Sequence, residues 1–187
     1  MKITVVTGNA GKAAEIAAFF GGRIDVDHIS LDIPEHRSND IAEIAAGKAR
    51  YAFTHLNIPV IVDDTGLFID ALEGFPGPYS AYVLNTIGNA GILKLMKGNS
   101  CRNARFTTGI AYADEQEIRV FTGILEGMIA TAPRGTSGFG YDPIFETETG
   151  KTLAEISLEE KGRISHRGQA LSNFHDWFVA NRLFPCR

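Results

Sequence analysis

The chain opens with an apolar run, Lys2–Val6, that stops at Thr7-Gly8-Asn9-Ala10-Gly11-Lys12 and gives way to a helical pattern from Ala10 to Phe20. A strand that feeds through a tight loop into a helix sets the fold class, because the helix must pack back on the sheet that the strand belongs to. The alternation continues. A short strand at Ile24–His28, a polar loop Leu31–Asn39, a helix from Asp40 to about His55 and the apolar run Val60–Val62 predict an α/β opening. The first junction also has chemistry. Backbone N–H groups and the positive end of the helix dipole converge there, Thr7 and Asn9 add side-chain donors and Lys12 adds a full charge, so the guest that fits is a polyphosphate. It is not a Walker A loop, which needs Gly where Val6 stands and Ser or Thr where Ala13 stands.

The second half reads differently. After the Pro/Gly-rich Leu72–Ser80 come helices near Ala81–Thr86 and Ala90–Lys97. Strands at Ala104–Ala113 and Glu117–Ile129 follow, joined by a turn at Asp114–Gln116. A final amphipathic helix, Gln169–Asn181, puts Leu171, Phe174, Trp177 and Phe178 on one stripe. With no repeat or flexible linker, the prediction is an α/β fold. It is a single elongated domain over residues 1–187, with two lobes around a central mixed β-sheet of long strands, flanked by helices, and the active site in the cleft between the lobes. The formal net charge of −4 offers no basic field, which excludes a nucleic acid polymer as partner. No segment approaches the roughly 18 to 20 apolar residues of a membrane span. Cys101 and Cys186 are too few and too far apart for a metal knuckle or a disulfide framework, so a cytoplasmic location is expected.

Five further features carry chemistry. The stretch Gly138–Phe145 packs two glycines, two aromatics, a carboxylate and a proline into a segment suited to a flat ligand. Phe139 and Tyr141 offer π-faces, Gly140 lets backbone approach and Asp142 accepts from ring N–H groups, though a turn with two core aromatics fits the same residues. Asp63 and Asp64 follow the apolar run at a strand end, placed for Mg²⁺ or for polarising a water, though a turn-forming Asp-Asp pair fits the same residues, and strand alternation lets only one of them face the cleft. Glu35, after Pro34, is a candidate oxygen ligand or a solvated surface group. Lys48 stands within the apolar stripe of Ile41, Ile44, Ala45 and Ala52, so it must snorkel or meet an anion. Lys161, Ser165, His166 and Arg167 come in a burst, the last two just before the final helix, where a phosphate or a keto oxygen is favoured.

The segments TGNAGK, LDIPE, DDTGL, GFPGPYSAY, FGYDPIF and SHRGQAL, in this order and spacing, resemble the inosine triphosphate pyrophosphatase family, also called the Ham1 or non-canonical purine NTP pyrophosphatase family. The resemblance spans Ile3 to Leu171. It implies hydrolysis of ITP, dITP and XTP to the nucleoside monophosphate and pyrophosphate, with Mg²⁺, in a homodimer. By matching motif, Thr7, Gly8, Asn9, Ala10, Gly11 and Lys12 hold the triphosphate, Glu35 and Asp64 bind the metal and Asp64 is also the catalytic carboxylate. Thr65 touches substrate, Lys48 and Lys161 lie near the nucleotide, Phe139, Gly140, Tyr141 and Asp142 form the base-binding segment, and His166 with Arg167 read the purine. The chain departs from many relatives at Ala81, where they carry Arg or Lys, so no phosphate contact is carried over there. Two alternatives stand beside this reading. One is a Maf-type pyrophosphatase of modified or pyrimidine triphosphates. The other is a non-catalytic nucleotide sensor, which would need the base pocket but not Lys12, Glu35 and Asp64.

Overall fold

A computed structural model describes residues 2–22, 24–34 and 36–183 of the chain. Strand β1 (Lys2–Val6) pairs in parallel with β2 (Asp25–Ile29) on one side and with β3 (Val60–Ile69) on the other. The crossovers are helix α1 (Ala10–Phe20) and helix α2 (Ile41–Leu56). Both helices start where a side chain caps them: Asn9 accepts from Lys12 N–H and Asp40 from Ala42 N–H. The polarity of the sheet then changes. The two-residue β4 (Pro76–Gly77), β5 (Asn103–Ala113), β6 (Ile118–Ile129) and β7 (Phe145–Glu146) all pair antiparallel, giving the order β2-β1-β3-β5-β6-β7 with β4 against β3. Two short helices, α3 (Ser80–Thr86) and α4 (Gly88–Leu95), follow β4, and α5 (Leu158–Ile164) and α6 (His166–Phe178) close the chain before a π turn at Val179–Leu183.

Alternation along β3 sorts the core. Val60 and Val62 face α2 with Ala45, Ala49 and Ala52, whereas Ile61 faces α1 and α6 with Ile16, Phe20, Leu171 and Phe174. A third cluster sits at the far end of the long strands, where Leu67, Ile69 and Phe106 pack with Ile92, Ile144 and Phe145. Each buried side chain of this size contributes about 1.5–3 kcal/mol. Helix α6 lies directly on β6 at Gly123, where a Cβ would come within 2.0 Å of the His166 carbonyl. The mixed sheet with helices on both faces is the expected class. No helix among the described residues is long and apolar enough to cross a membrane.

Three expectations need correction. Asp63 and Asp64 do not end a strand, for β3 runs on to Ile69 because β5 pairs with it over its whole length. His166 and Arg167 do not precede the last helix. Ser165 accepts from Gly168 N–H and starts α6 at His166, three residues earlier than expected. Helix α5 was not anticipated, although Ser157 followed by Glu160 is a capping signature, and Ser157 accepts from Glu160 N–H.

Candidate active site

The middle of β3 is polar because it floors a cleft rather than a core. The cleft is lined by Thr7, Gly8, Asn9 and Lys12 of the first loop, by Lys48 of α2, and by Asp63, Asp64 and Thr65 of β3. Opposite lie Phe139 to Asp142, Lys161 of α5, and His166 and Arg167 at the start of α6, enclosing about 720 Å³. Residues expected to act together from six separate segments thus meet. Ala10 and Gly11 turn the chain into α1 without lining the cleft, and Glu35 lies outside the described residues. Both aspartates border the cleft, but the Asp63 side chain is wholly buried and the Asp64 carboxylate is the one left partly open, as strand alternation predicts.

The two carboxylates nevertheless differ. Asp64 follows Val62 onto the α2 face, where Lys48 Nζ donates to its Oδ1 at 2.7 Å. The half-buried lysine of α2 therefore meets an anion. Asp63 follows Ile61 onto the α1/α6 face, where it forms an ion pair with Lys12 and accepts from Arg167 Nε at 2.7 Å. Burial pushes the Asp63 carboxyl up, but the charges and hydrogen bonds of Arg167 and Lys12 outweigh it and hold the group far below the usual range. At Asp64 burial wins over Lys12 and Lys48, and the carboxyl is raised. One carboxylate is locked as an anion, and its neighbour is left basic.

Arg167 is 2% exposed and ties the site together. Its Nη2 donates to Thr65 Oγ1 at 3.1 Å and its Nη1 to Glu15 Oε2 at 2.5 Å. Lys161 Nζ lies 2.6 Å from Glu15 Oε1 and donates to Asp142 Oδ2 at 2.5 Å, and Asp142 accepts from Phe139 N–H at 2.8 Å. A continuous ionic chain therefore runs from Lys12 of the first loop to the Phe139–Asp142 segment. Glu15 was not among the predicted residues. Its signal was its place three residues after Lys12, on the same face of α1.

The aromatic segment is folded against that chain. Gly138 and Gly140 adopt positive φ, 74° and 66°, which carries Phe139 around onto α1. Its ring covers Gly11 so closely that a Cβ there would lie 2.6 Å from it, and Lys161 Nζ sits 4.9 Å from the ring centroid. Tyr141 is a core residue in part, its hydroxyl donating to the Ser80 carbonyl at 2.8 Å. Asp142 is raised by burial against the pull of Lys161. His166 is 3% exposed, packed at a tilt against Phe106 and bonded through Nδ1 to Thr108. Burial, then the charge of Arg167, lowers its pKa well below the usual value, so the imidazole is neutral.

The fold and the cleft define a class: α/β proteins whose curled mixed sheet carries charged groups at mid-strand beneath a strand–loop–helix junction suited to phosphate. The chain belongs to the Ham1 family, whose sequence signature matches residues 3–177. It is 51% identical over 186 residues to the dITP/XTP pyrophosphatase of Methanopyrus kandleri, covering 97% of this chain and 98% of that one. With inosine triphosphate pyrophosphatase 1 of Trypanosoma cruzi it shares 42% over 173 residues, 91% and 88% of the two chains. The solved HAM1 protein of Coxiella burnetii superposes with a TM-score of 0.83 at 32% identity, over 96% of this chain and 98% of that one.

Proposed function

We propose that the chain hydrolyses non-canonical purine nucleoside triphosphates, ITP, dITP and XTP, to the nucleoside monophosphate and pyrophosphate. The observation that carries this is the split between Asp63 and Asp64 in one cleft, an anion neutralised by Lys12 and Arg167 beside a desolvated carboxylate of raised basicity. The names of the relatives support the same substrates. Water attacks the α-phosphorus, its proton passes to Asp64, and the bond from that phosphorus to the bridging oxygen breaks, releasing pyrophosphate. Lys12 and the N–H groups of the first loop meet the charge that grows on the leaving group. Phe139 offers its ring to the base, and Asp142, His166 and neighbouring backbone read its edge. Arg167, committed to Asp63, Glu15 and Thr65, fixes the positions of these groups.

Mg²⁺ fits the donor set. Among the described residues no group of three or more His, Cys, Asp or Glu is arranged to hold an ion. Mg²⁺ needs no such cage, since it takes one or two carboxylates together with substrate phosphates and waters. Asp64, a buried carboxylate whose charged form burial disfavours, would hold the cation and be stabilised by it, and the resemblance adds Glu35 as second ligand. When bound, the ion draws charge from the phosphate oxygens. The resemblance also supports a homodimer, and the cysteine usage a cytoplasmic location. The test is a panel of ITP, XTP, GTP, ATP and dTTP with Mg²⁺, reading pyrophosphate release. The expected result is the highest kcat/KM for ITP and XTP. Preference for dTTP points to the Maf-type reading, and binding without turnover to a sensor.

A further inference from the structure

Two hydroxyls beside the cleft, one on half-buried Thr65 and one on buried Thr108, determine which nitrogen of His166 carries its proton. Thr65 and Thr108 stand opposite each other across β3 and β5 with their Oγ1 atoms 2.7 Å apart, and Thr108 Oγ1 lies 2.6 Å from His166 Nδ1. Each hydroxyl has one proton to give. Arg167 Nη2 can only donate, so it occupies a lone pair of Thr65 at 3.1 Å. The Asp63 carboxylate can only accept, so it draws the Thr65 proton to Oδ1, also at 3.1 Å. The reverse orientation would set a Thr65 lone pair against a carboxylate oxygen with no proton between them. With the Thr65 proton committed to Asp63, Thr108 must donate to Thr65 and accept from His166.

We propose that Thr108 is a positioning residue that holds His166 in its Nδ1–H tautomer, so that Nε2 presents a lone pair to the cleft and accepts the N1–H of a keto purine. His166 lines the cleft, and its Nε2 has no hydrogen-bond partner among the described residues. Because the ring is neutral, the choice of nitrogen is its only freedom. Hypoxanthine and xanthine bring a hydrogen at N1. Adenine brings a lone pair, which would face the lone pair of Nε2 and leave two buried acceptors unmatched. Thr108 touches neither substrate nor solvent, being fully buried, and acts through the histidine alone. This deepens the proposed function and rests on its substrate class.

Long-range ¹H–¹⁵N spectra of protein labelled in its five histidines test the tautomer without substrate, with the His166 signals assigned by their loss in His166→Gln. A protonated Nδ1 and bare Nε2 are expected, and a protonated Nε2 overturns the proposal. In a second arm, Thr108→Val keeps the volume and removes the hydroxyl. The ITP:ATP ratio of kcat/KM should fall about tenfold, the worth of one buried hydrogen bond, and Thr108→Ser should restore it. Equal slowing of both substrates would reduce Thr108 to a packing residue and overturn the proposal. If the wild-type protein splits no triphosphate, the proposed function fails, while the spectrum still decides for or against the tautomer.

Discussion

At the scale of the residue, the adjacent carboxylates illustrate how side-chain environment divides labour. Asp64→Asn is expected to cut kcat by about 10²–10⁴-fold, the usual worth of a general base, with little change in stability, since Lys48 is only partly buried and the amide oxygen can still accept from it. Asp63→Asn should behave in the opposite sense. It leaves Arg167 buried with half its partners gone, and loss of one member of a buried pair costs about 3–5 kcal/mol. Urea unfolding of both variants beside their kinetics checks this, and a stable Asp63→Asn with normal Asp64→Asn turnover would reverse the assignment. Lys48 and Asp64 were legible because each broke a local pattern, and Lys12 because it ends the loop of a strand–loop–helix junction. A lysine in an apolar stripe and carboxylates in an apolar run are visible without a fold. Glu15 was not, because its partners Arg167 and Lys161 lie far along the chain and only tertiary packing brings them together.

At the scale of the element, the strand–loop–helix junction and the long β5–β6 hairpin were readable within a residue or two, since periodicity and capping are local. The length of β3 was not. Its polar middle looks like a turn until β5 supplies ten paired residues across from it. The seat of α6 is equally invisible in one dimension, because Gly123 matters only where a helix backbone crosses it. Gly123→Ala is expected to lift the start of α6 from β6, since the atoms it meets are backbone and cannot turn aside. Overpacking of this kind costs about 1–3 kcal/mol, and His166 and Arg167 would move with the helix. A drop in both the urea midpoint and kcat/KM for ITP is expected. An unchanged kcat/KM would show that α6 need not be held this closely.

At the scale of the whole molecule, stability and pH are linked through the same buried groups. His166 is neutral when folded but protonates in the unfolded chain near pH 6.5, so below that value the unfolded state binds more protons. Stability therefore falls as pH drops from about 6.5 toward the depressed folded pKa, by up to about 1.4 kcal/mol per pH unit. Asp63 acts in a lower window. Its folded pKa is depressed, so its contribution is present above about pH 3.9 and is lost as pH falls through the folded value. Urea midpoints between pH 7 and 5 should fall less for His166→Gln than for the wild type, and parallel losses would mean that His166 is charged when folded. The fold class and the cleft followed from the order of elements, whereas the ionic chain that joins the two sides of the cleft did not, because it exists only once the sheet has curled. The most direct test of the proposed chemistry is hydrolysis of ITP in ¹⁸O-labelled water with Mg²⁺. The expected result is one ¹⁸O atom in the nucleoside monophosphate and unlabelled pyrophosphate, since water attacks the α-phosphorus. Label in pyrophosphate, or release of orthophosphate, would contradict it.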